Sequence, residues 1–221
     1  MTNQEILAMV DHTLLKADAK KEDIKKICEE ALENNTASIC INPGFIEYAV
    51  GILGDKIPVC TVIGFPLGAM TTAAKVFEAK DAIEKGAQEV DMVINISRAK
   101  DGDWEYITEE IRQIKQACGD KILKVIIETC YLEEDEKIAM CHAVTNAKAD
   151  YIKTSTGFGT AGATMEDILL FKKHIGPDVK MKAAGGIRSV QDMEDYLAVG
   201  VDRLGTSSAI KLLEGEQTSG Y

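Results

Sequence analysis

Tyr151-Ile152-Lys153-Thr154-Ser155-Thr156-Gly157 and Val179-Lys180-Met181-Lys182-Ala183-Ala184-Gly185-Gly186 decide how this chain reads. Each is a short, strand-like run that carries a lysine and opens at once into small, hydroxyl or glycine residues. A strand ending this way delivers an amine to the rim of a sheet. Two such amines on neighbouring strands are expected to depress each other's pKa, because a like charge disfavours the protonated form. A lysine with a free amine near neutral pH attacks carbonyls and forms a Schiff base.

The same strand-and-turn unit recurs on either side of these stretches. Strand-like runs fall at Ser38–Ile41, Val59–Ile63, Val90–Ile94, Ile122–Ile127, Tyr151–Lys153, Val179–Lys182 and Asp202–Leu204, and Ala8–His12 reads as a short first strand. They are rich in β-branched residues and bounded by Gly, Pro or Asn, as buried parallel strands are. Amphipathic segments lie between them. Ile24, Ile27, Cys28, Ala31 and Leu32 share one helical face, and Trp104, Ile107, Ile111 and Ile114 share another. Thr164 with Asp167 and Ser189 with Asp192 read as capping boxes with Asp in place of Glu. Gly86 and Gly119 stand where helix C-terminal glycines belong. Strands alternating with helices imply a parallel sheet, and eight such units close into a (β/α)8 TIM barrel. A doubly wound open sheet is the alternative, but no strand leads into GxGxxG. The expectation is one barrel domain over residues 1–221, with a tail at 214–221 that has no anchor in the pattern.

Bulk properties narrow the function. The chain has 221 residues, 46% of them hydrophobic and 28% charged, as in ordinary globular proteins. A net charge of −11 argues against nucleic acid or an anionic membrane as partner. No run approaches the ~20 apolar residues of a membrane span. Six cysteines (28, 40, 60, 118, 130 and 141) include no CxxC pair, which points to reduced thiols in the cytoplasm. The three histidines (12, 142 and 174) show no ligand spacing, so neither a metal nor a cofactor is expected.

In a TIM barrel the active site lies at the C-terminal ends of the strands. That face collects Asp11, Cys40, Asp91, Lys124, Lys153 and Lys182. Asp91 interrupts one apolar run and Lys124 another, and a charge there is costly unless it meets a partner. By strand parity Asp91, Lys124, Lys153 and Lys182 all point into the lumen. Lys121 and Lys180 read as solvated side chains, and Cys40 reads as core, since no histidine is placed to activate it. The turn Gly185-Gly186 and the loop Gly205-Thr206-Ser207-Ser208, which leads into Ala209–Leu213, suit a phosphate.

Several of these stretches resemble those of the deoxyribose-phosphate aldolase family. They are Glu89-Val90-Asp91, Lys124-Val125-Ile126-Ile127-Glu128-Thr129, Lys153-Thr154-Ser155-Thr156-Gly157, Lys182-Ala183-Ala184-Gly185-Gly186-Ile187-Arg188 and Gly64-Phe65-Pro66-Leu67-Gly68. Ser38-Ile39-Cys40-Ile41, the early Asp11 and the closing Arg203–Ser208 match as well. The resemblance implies a metal-free class I aldolase that interconverts 2-deoxy-D-ribose 5-phosphate with D-glyceraldehyde 3-phosphate and acetaldehyde. It assigns the Schiff base to Lys153, the tuning of that lysine to Lys182 and acid/base work to Asp91. Asp11 and Lys124 fall in a supporting proton network. Gly157, Gly185, Gly186, Gly205, Ser207 and Ser208 match positions that hold the phosphate. Phe158 departs from the pattern, since some relatives carry a basic residue there. A terminal tyrosine, here Tyr221, has a proton-transfer role in several relatives. A homo-oligomer, dimer or tetramer, is compatible with the resemblance. Two other readings share the phosphate loops: a phosphosugar epimerase or isomerase, and a non-catalytic barrel that binds a phosphorylated metabolite.

Overall fold

The computed structural model describes residues 1–216; residues 217–221, and with them Tyr221, lie outside the described part. Eight strands form a closed barrel in chain order: β1 (Val10–Leu14), β2 (Ser38–Ile41), β3 (Val59–Ile63), β4 (Glu89–Val93), β5 (Ile122–Ile126), β6 (Tyr151–Lys153), β7 (Lys180–Ala184) and β8 (Arg203–Thr206). Every neighbouring pair is parallel, including the closure of β8 on β1. This is the (β/α)8 barrel the alternation predicts.

Helices occupy the outside: α1 (Asn3–Leu7), α2 (Lys21–Asn34), α3 (Ile46–Leu53), α4 (Thr72–Glu84), α5 (Ile96–Lys100), α6 (Trp104–Cys118), α7 (Glu134–Asn146), α8 (Met165–His174), α9 (Val190–Ala198) and α10 (Ala209–Leu213). The predicted faces are the buried ones: Ile24, Ile27, Cys28 and Ala31 on α2, and Ile107, Ile111 and Ile114 on α6. Outward strand residues such as Val90, Met92, Leu123, Val125 and Ile152 meet α6 and its neighbours in one continuous apolar layer. The strands are therefore buried on both faces, which is why they read as apolar runs rather than alternations. No helix among the described residues is long and apolar enough to cross a membrane.

The structure moves the ends of several strands, by two residues in β1, β7 and β8 and by one in β4 and β5. Ala8 and Met9 do not open β1; their N–H groups bond Gln4 and Ile6 carbonyls and close α1. Strand β8 runs past Leu204 because Gly205 and Thr206 pair with Asp11 and His12. Strand β7 runs on to Ala184, which pairs with Gly205. For β7 and β8 the neighbouring strand's register decides, whereas the start of β1 is set by the local turn that closes α1. The capping box at Ser189 and Asp192 is complete. At Thr164 one half forms: its hydroxyl accepts the Asp167 N–H, but the Asp167 carboxylate pairs with Lys137 at 2.7 Å.

The β3–α4 loop packs tightly against the end of β4. Gly68 has φ +66°, and a Cβ there would lie 1.8 Å from the Ile94 carbonyl oxygen. Gly119, the C-cap of α6, has φ +60° but open space around it. Gly119→Ala is expected to cost only the strain of its positive φ, on the order of 1–3 kcal/mol. Gly68→Ala adds a backbone collision and is expected to cost at least about 3 kcal/mol. Urea midpoints of the two variants test this; equal losses would mean the loop shifts without penalty.

Candidate active site

Strand parity puts a column of charge through the barrel. At its base Arg203, the first residue of β8, reaches across to Glu89, the first residue of β4, at 3.0 and 3.2 Å. Above them lies Asp91, wholly buried. Its Oδ2 accepts from Lys153 Nζ at 2.7 Å and from Lys182 Nζ at 2.8 Å. Its Oδ1 accepts from Lys124 Nζ at 3.0 Å and from the Cys60 thiol at 3.2 Å. Asp11 takes Lys182 on one oxygen at 2.5 Å. The other oxygen takes Arg203 at 2.5 Å and the Ser38 hydroxyl at 2.8 Å. Lys124 also meets Glu89 at 2.5 Å and Asp11 at 3.5 Å. Three carboxylates thus face four basic side chains. The lumen is a local island of positive excess in an acidic chain.

Burial alone would raise the carboxylate pKa values, yet both move the other way. Lys124, Lys153 and Lys182 outweigh desolvation and hold Asp91 well below the usual carboxylate range. Lys124, Lys182 and Arg203 do the same for Asp11. The reverse holds for the buried amines. Desolvation would lower them, but Asp11 and Asp91 drive Lys124 and Lys182 above the ordinary lysine value. For Lys182 this overturns the expectation of mutual depression between lysines. Two carboxylates touch its ammonium group, and their attraction exceeds the repulsion from neighbouring amines.

The three lumen lysines differ in what surrounds them. Lys124 contacts three carboxylates and Lys182 two, and both are 0% exposed. Lys153 touches one carboxylate oxygen, ends its strand, and lines a cleft at the C-terminal mouth. Thr13, Leu15, Thr156, Gly157, Gly185, Gly186, Gly205, Ser207 and Ser208 line the same cleft. All six expected phosphate-site residues therefore gather beside Lys153. Leu15 continues this lining into an apolar cluster with Cys40, Cys60 and Val62, against which Phe65 packs. Phe65 in turn stacks edge-on against Phe158, with ring centroids 5.4 Å apart. An aromatic wall stands where a basic residue would offer a charge.

Cys40 is a wall residue, fully buried beside Cys60, its register partner. The Cys60 thiol's hydrogen bond lowers the Cys40 pKa against the opposing effect of burial. Donor atoms of Cys40, Cys60 and Asp91 lie within 4.8 Å of one another, as do those of Asp11, Cys60 and Glu89. The sequence spacing gave no hint of either group. Each carboxylate in them already faces a lysine or arginine, so the surrounding charge opposes a divalent cation.

Glu89, Arg203, Cys60 and Ser38 belong to this network but do not stand out as site residues in the sequence. Glu89 carries a usable signal: it lies two positions before Asp91 and so shares its face. Arg203 follows an acidic loop residue and looks like a strand-edge charge. A second buried pair, Lys75 with Glu110 at 3.0 Å, ties α4 to α6 outside the barrel. Lys75 also bonds the Val93 carbonyl at the end of the Asp91 strand.

Comparison with known proteins agrees with this geometry. Residues 5–213 match the model of the DeoC/LacD family aldolases. A deoxyribose-phosphate aldolase from Clostridium botulinum (strain Eklund 17B) is 62% identical over 221 residues, covering 100% of both chains. One from Clostridioides difficile is 59% identical, covering 99% of this chain and 100% of that one. The solved tetrameric deoxyribose phosphate aldolase from Aeropyrum pernix superposes with a TM-score of 0.90 at 30% identity, over 97% of this chain and 92% of that one. With its lysine-carboxylate column, its cleft and these relatives in agreement, the chain belongs to the DeoC/LacD family of aldolases.

Proposed function

We propose that this protein is a class I aldolase that reversibly cleaves 2-deoxy-D-ribose 5-phosphate to D-glyceraldehyde 3-phosphate and acetaldehyde. One observation carries the reading. Of three lysines gathered on one carboxylate, Lys153 alone lines the cleft with a single carboxylate contact, while Lys124 and Lys182 are locked in multiple ion pairs.

The proposed sequence is as follows. Asp91 Oδ2 takes up the Lys153 proton only transiently while the freed amine attacks C1 of the open-chain sugar, and it returns that proton as the iminium forms. Loss of water gives the imine, which is protonated as an iminium. A base removes the proton from the C3 hydroxyl, the C2–C3 bond breaks, and its electron pair flows into the iminium. D-Glyceraldehyde 3-phosphate departs and leaves an enamine on Lys153. Protonation at C2 and hydrolysis release acetaldehyde. Lys182, held protonated by Asp11 and Asp91, supplies a fixed positive charge beside the reacting nitrogen. The glycine and serine loops after β6, β7 and β8 receive the phosphate. Lys124 keeps Asp91 ionised, and Asp11 helps hold Lys182 in place against it. We also infer a cytoplasmic protein, and a homo-oligomer as in the tetrameric relative.

Borohydride reduction in the presence of acetaldehyde is expected to add a two-carbon adduct to Lys153, located by peptide mapping. Lys153→Ala should lose both adduct and turnover, a fall of at least about 10⁴ in kcat. An adduct that persists in this variant would place the nucleophile elsewhere. A phosphosugar isomerase or a binding-only barrel would form no adduct at all.

The electron sink is an imine, so activity is expected to survive exhaustive dialysis against EDTA. Activity that returned only on adding Zn²⁺ or Mg²⁺ would refute the class I chemistry.

The lumen also sets a pH window for folding. Asp11 and Asp91 have depressed folded pKa values, so their contribution is complete above the unfolded value of about 4 and is lost as pH falls below it. Lys124 and Lys182 have raised values, so theirs is complete below about 10.4 and is lost as pH rises further. Urea midpoints should therefore be level between about pH 5 and 9 and fall on both sides. Asp91→Asn should lower the plateau by roughly 3–5 kcal/mol, because it leaves buried ammonium groups short of a partner. An unchanged plateau would show that Asp91 does not hold the column together.

A further inference from the structure

Glu128 is a buried carboxylate that the proposed mechanism does not use. It follows β5 in a left-handed conformation, φ 52° and ψ 66°, which a glutamate rarely adopts. Its side chain is 2% exposed, and no lysine or arginine forms an ion pair with it among the described residues. Burial accordingly pushes its pKa up. A buried carboxylate without a cation is costly, so what it holds needs an account.

It holds the loop that follows Lys153. Glu128 Oε1 accepts the Thr156 N–H at 3.1 Å, and Oε2 accepts the Thr156 hydroxyl. With its proton committed to Glu128, that hydroxyl accepts the Phe158 N–H at 3.0 Å. The N–H groups on both sides of Gly157 are thereby taken. That of Gly157 itself, at φ 87°, donates to no protein group among the described residues. Gly157 lines the cleft beside Gly185 and Gly186. The loop then closes back over the carboxylate. A Cβ on Gly159 would lie 2.8 Å from Cys130 Sγ and 3.1 Å from Glu128 Cδ.

We propose that Glu128 is a positioning residue for recognition of the substrate's phosphate: by occupying both donors of Thr156 it fixes the turn so that the Gly157 N–H is presented to an anion in the cleft. This rests on the reading that the cleft holds a phosphorylated sugar. It separates two tasks on adjacent strands. Asp91 on β4 serves the reacting carbon, and Glu128 after β5 serves the far end of the substrate. No cation touches the carboxylate among the described residues, so both of its oxygens serve the loop.

The test compares kcat/KM for 2-deoxyribose 5-phosphate and for 2-deoxyribose, together with competitive inhibition by inorganic phosphate. Glu128→Ala and Thr156→Val are each expected to lower the ratio of the two kcat/KM values at least tenfold, mainly through KM of the phosphorylated sugar. Phosphate inhibition should weaken in parallel. Glu128→Gln, whose amide oxygen still accepts the Thr156 N–H, should recover part of the ratio. Thr156→Ser, which keeps the hydroxyl, should recover most of it and covers the case in which Glu128→Ala fails to fold. Equal losses on both sugars, or an unchanged ratio, would overturn the proposal and leave Glu128 a barrel-end strut. The underlying reading fails separately: wild type would then show neither a preference for the phosphorylated sugar nor inhibition by phosphate. Ser207→Asp, which repels the anion without touching Glu128, should lower the ratio whether or not Glu128 positions the loop.

Discussion

Everything at the centre of this barrel depends on one buried carboxylate. Asp91 has four donors on two oxygens, three of them ammonium groups. Removing so many charges from water carries a desolvation penalty of several kcal/mol per ion, which attraction offsets only when geometry is good and every lone pair is used. The parallel barrel provides that geometry. Register places Asp91 beside Lys124, and Lys153 beside Lys182. Their side chains then converge on the axis at successive heights. Glu89 and Arg203 below, and Asp11 to one side, complete the balance. A charge of either sign removed from this column would leave its partners buried and uncompensated.

Much of this was legible from spacing. A lysine or aspartate inside an apolar run is conspicuous, and parity assigned Asp91, Lys124, Lys153 and Lys182 to one surface. The glycine loops were legible because tight strand-to-helix turns and bare backbone use the same residue. What stayed hidden has physical causes. Arg203 and Glu89 begin their strands, where charged residues are common, so nothing marks them as buried. Lys75 and Glu110 sit on helices α4 and α6, and only tertiary packing shows that their polar positions face each other rather than solvent. Glu128 lies just past the end of a strand, where a left-handed residue cannot be read from a glutamate. The shifted ends of β7 and β8 follow from pairing partners that are distant in sequence.

The direction of the Lys182 shift holds a wider lesson about reading lysine pairs. Two amines close in sequence pattern suggest mutual repulsion, and repulsion was the expected effect. The outcome depends on the carboxylates between them. Asp11 at 2.5 Å and Asp91 at 2.8 Å both act on Lys182 at hydrogen-bond range. The second lysine acts through the oxygen they share. Asp11 and Asp91 thus favour the protonated form of Lys182, and in the proposed chemistry its influence on Lys153 is that of a fixed charge, not of a titrating neighbour.

That fixed charge fits the proposed chemistry in a specific way. Conversion of Lys153 from ammonium to iminium replaces one cation by another at nearly the same point. The Asp91 carboxylate therefore meets the same net charge before attack and before carbon–carbon cleavage. The column does not reorganise between those states, and stabilisation that needs no reorganisation is what a preorganised site provides. The enamine is different: charge at the nitrogen is lost when the C2–C3 bond breaks. At that moment Lys182 remains as the cation on Asp91 Oδ2 and keeps the buried carboxylate paired. A second lysine on the same oxygen is then not redundant, because it carries the ion pair through the one intermediate in which Lys153 cannot.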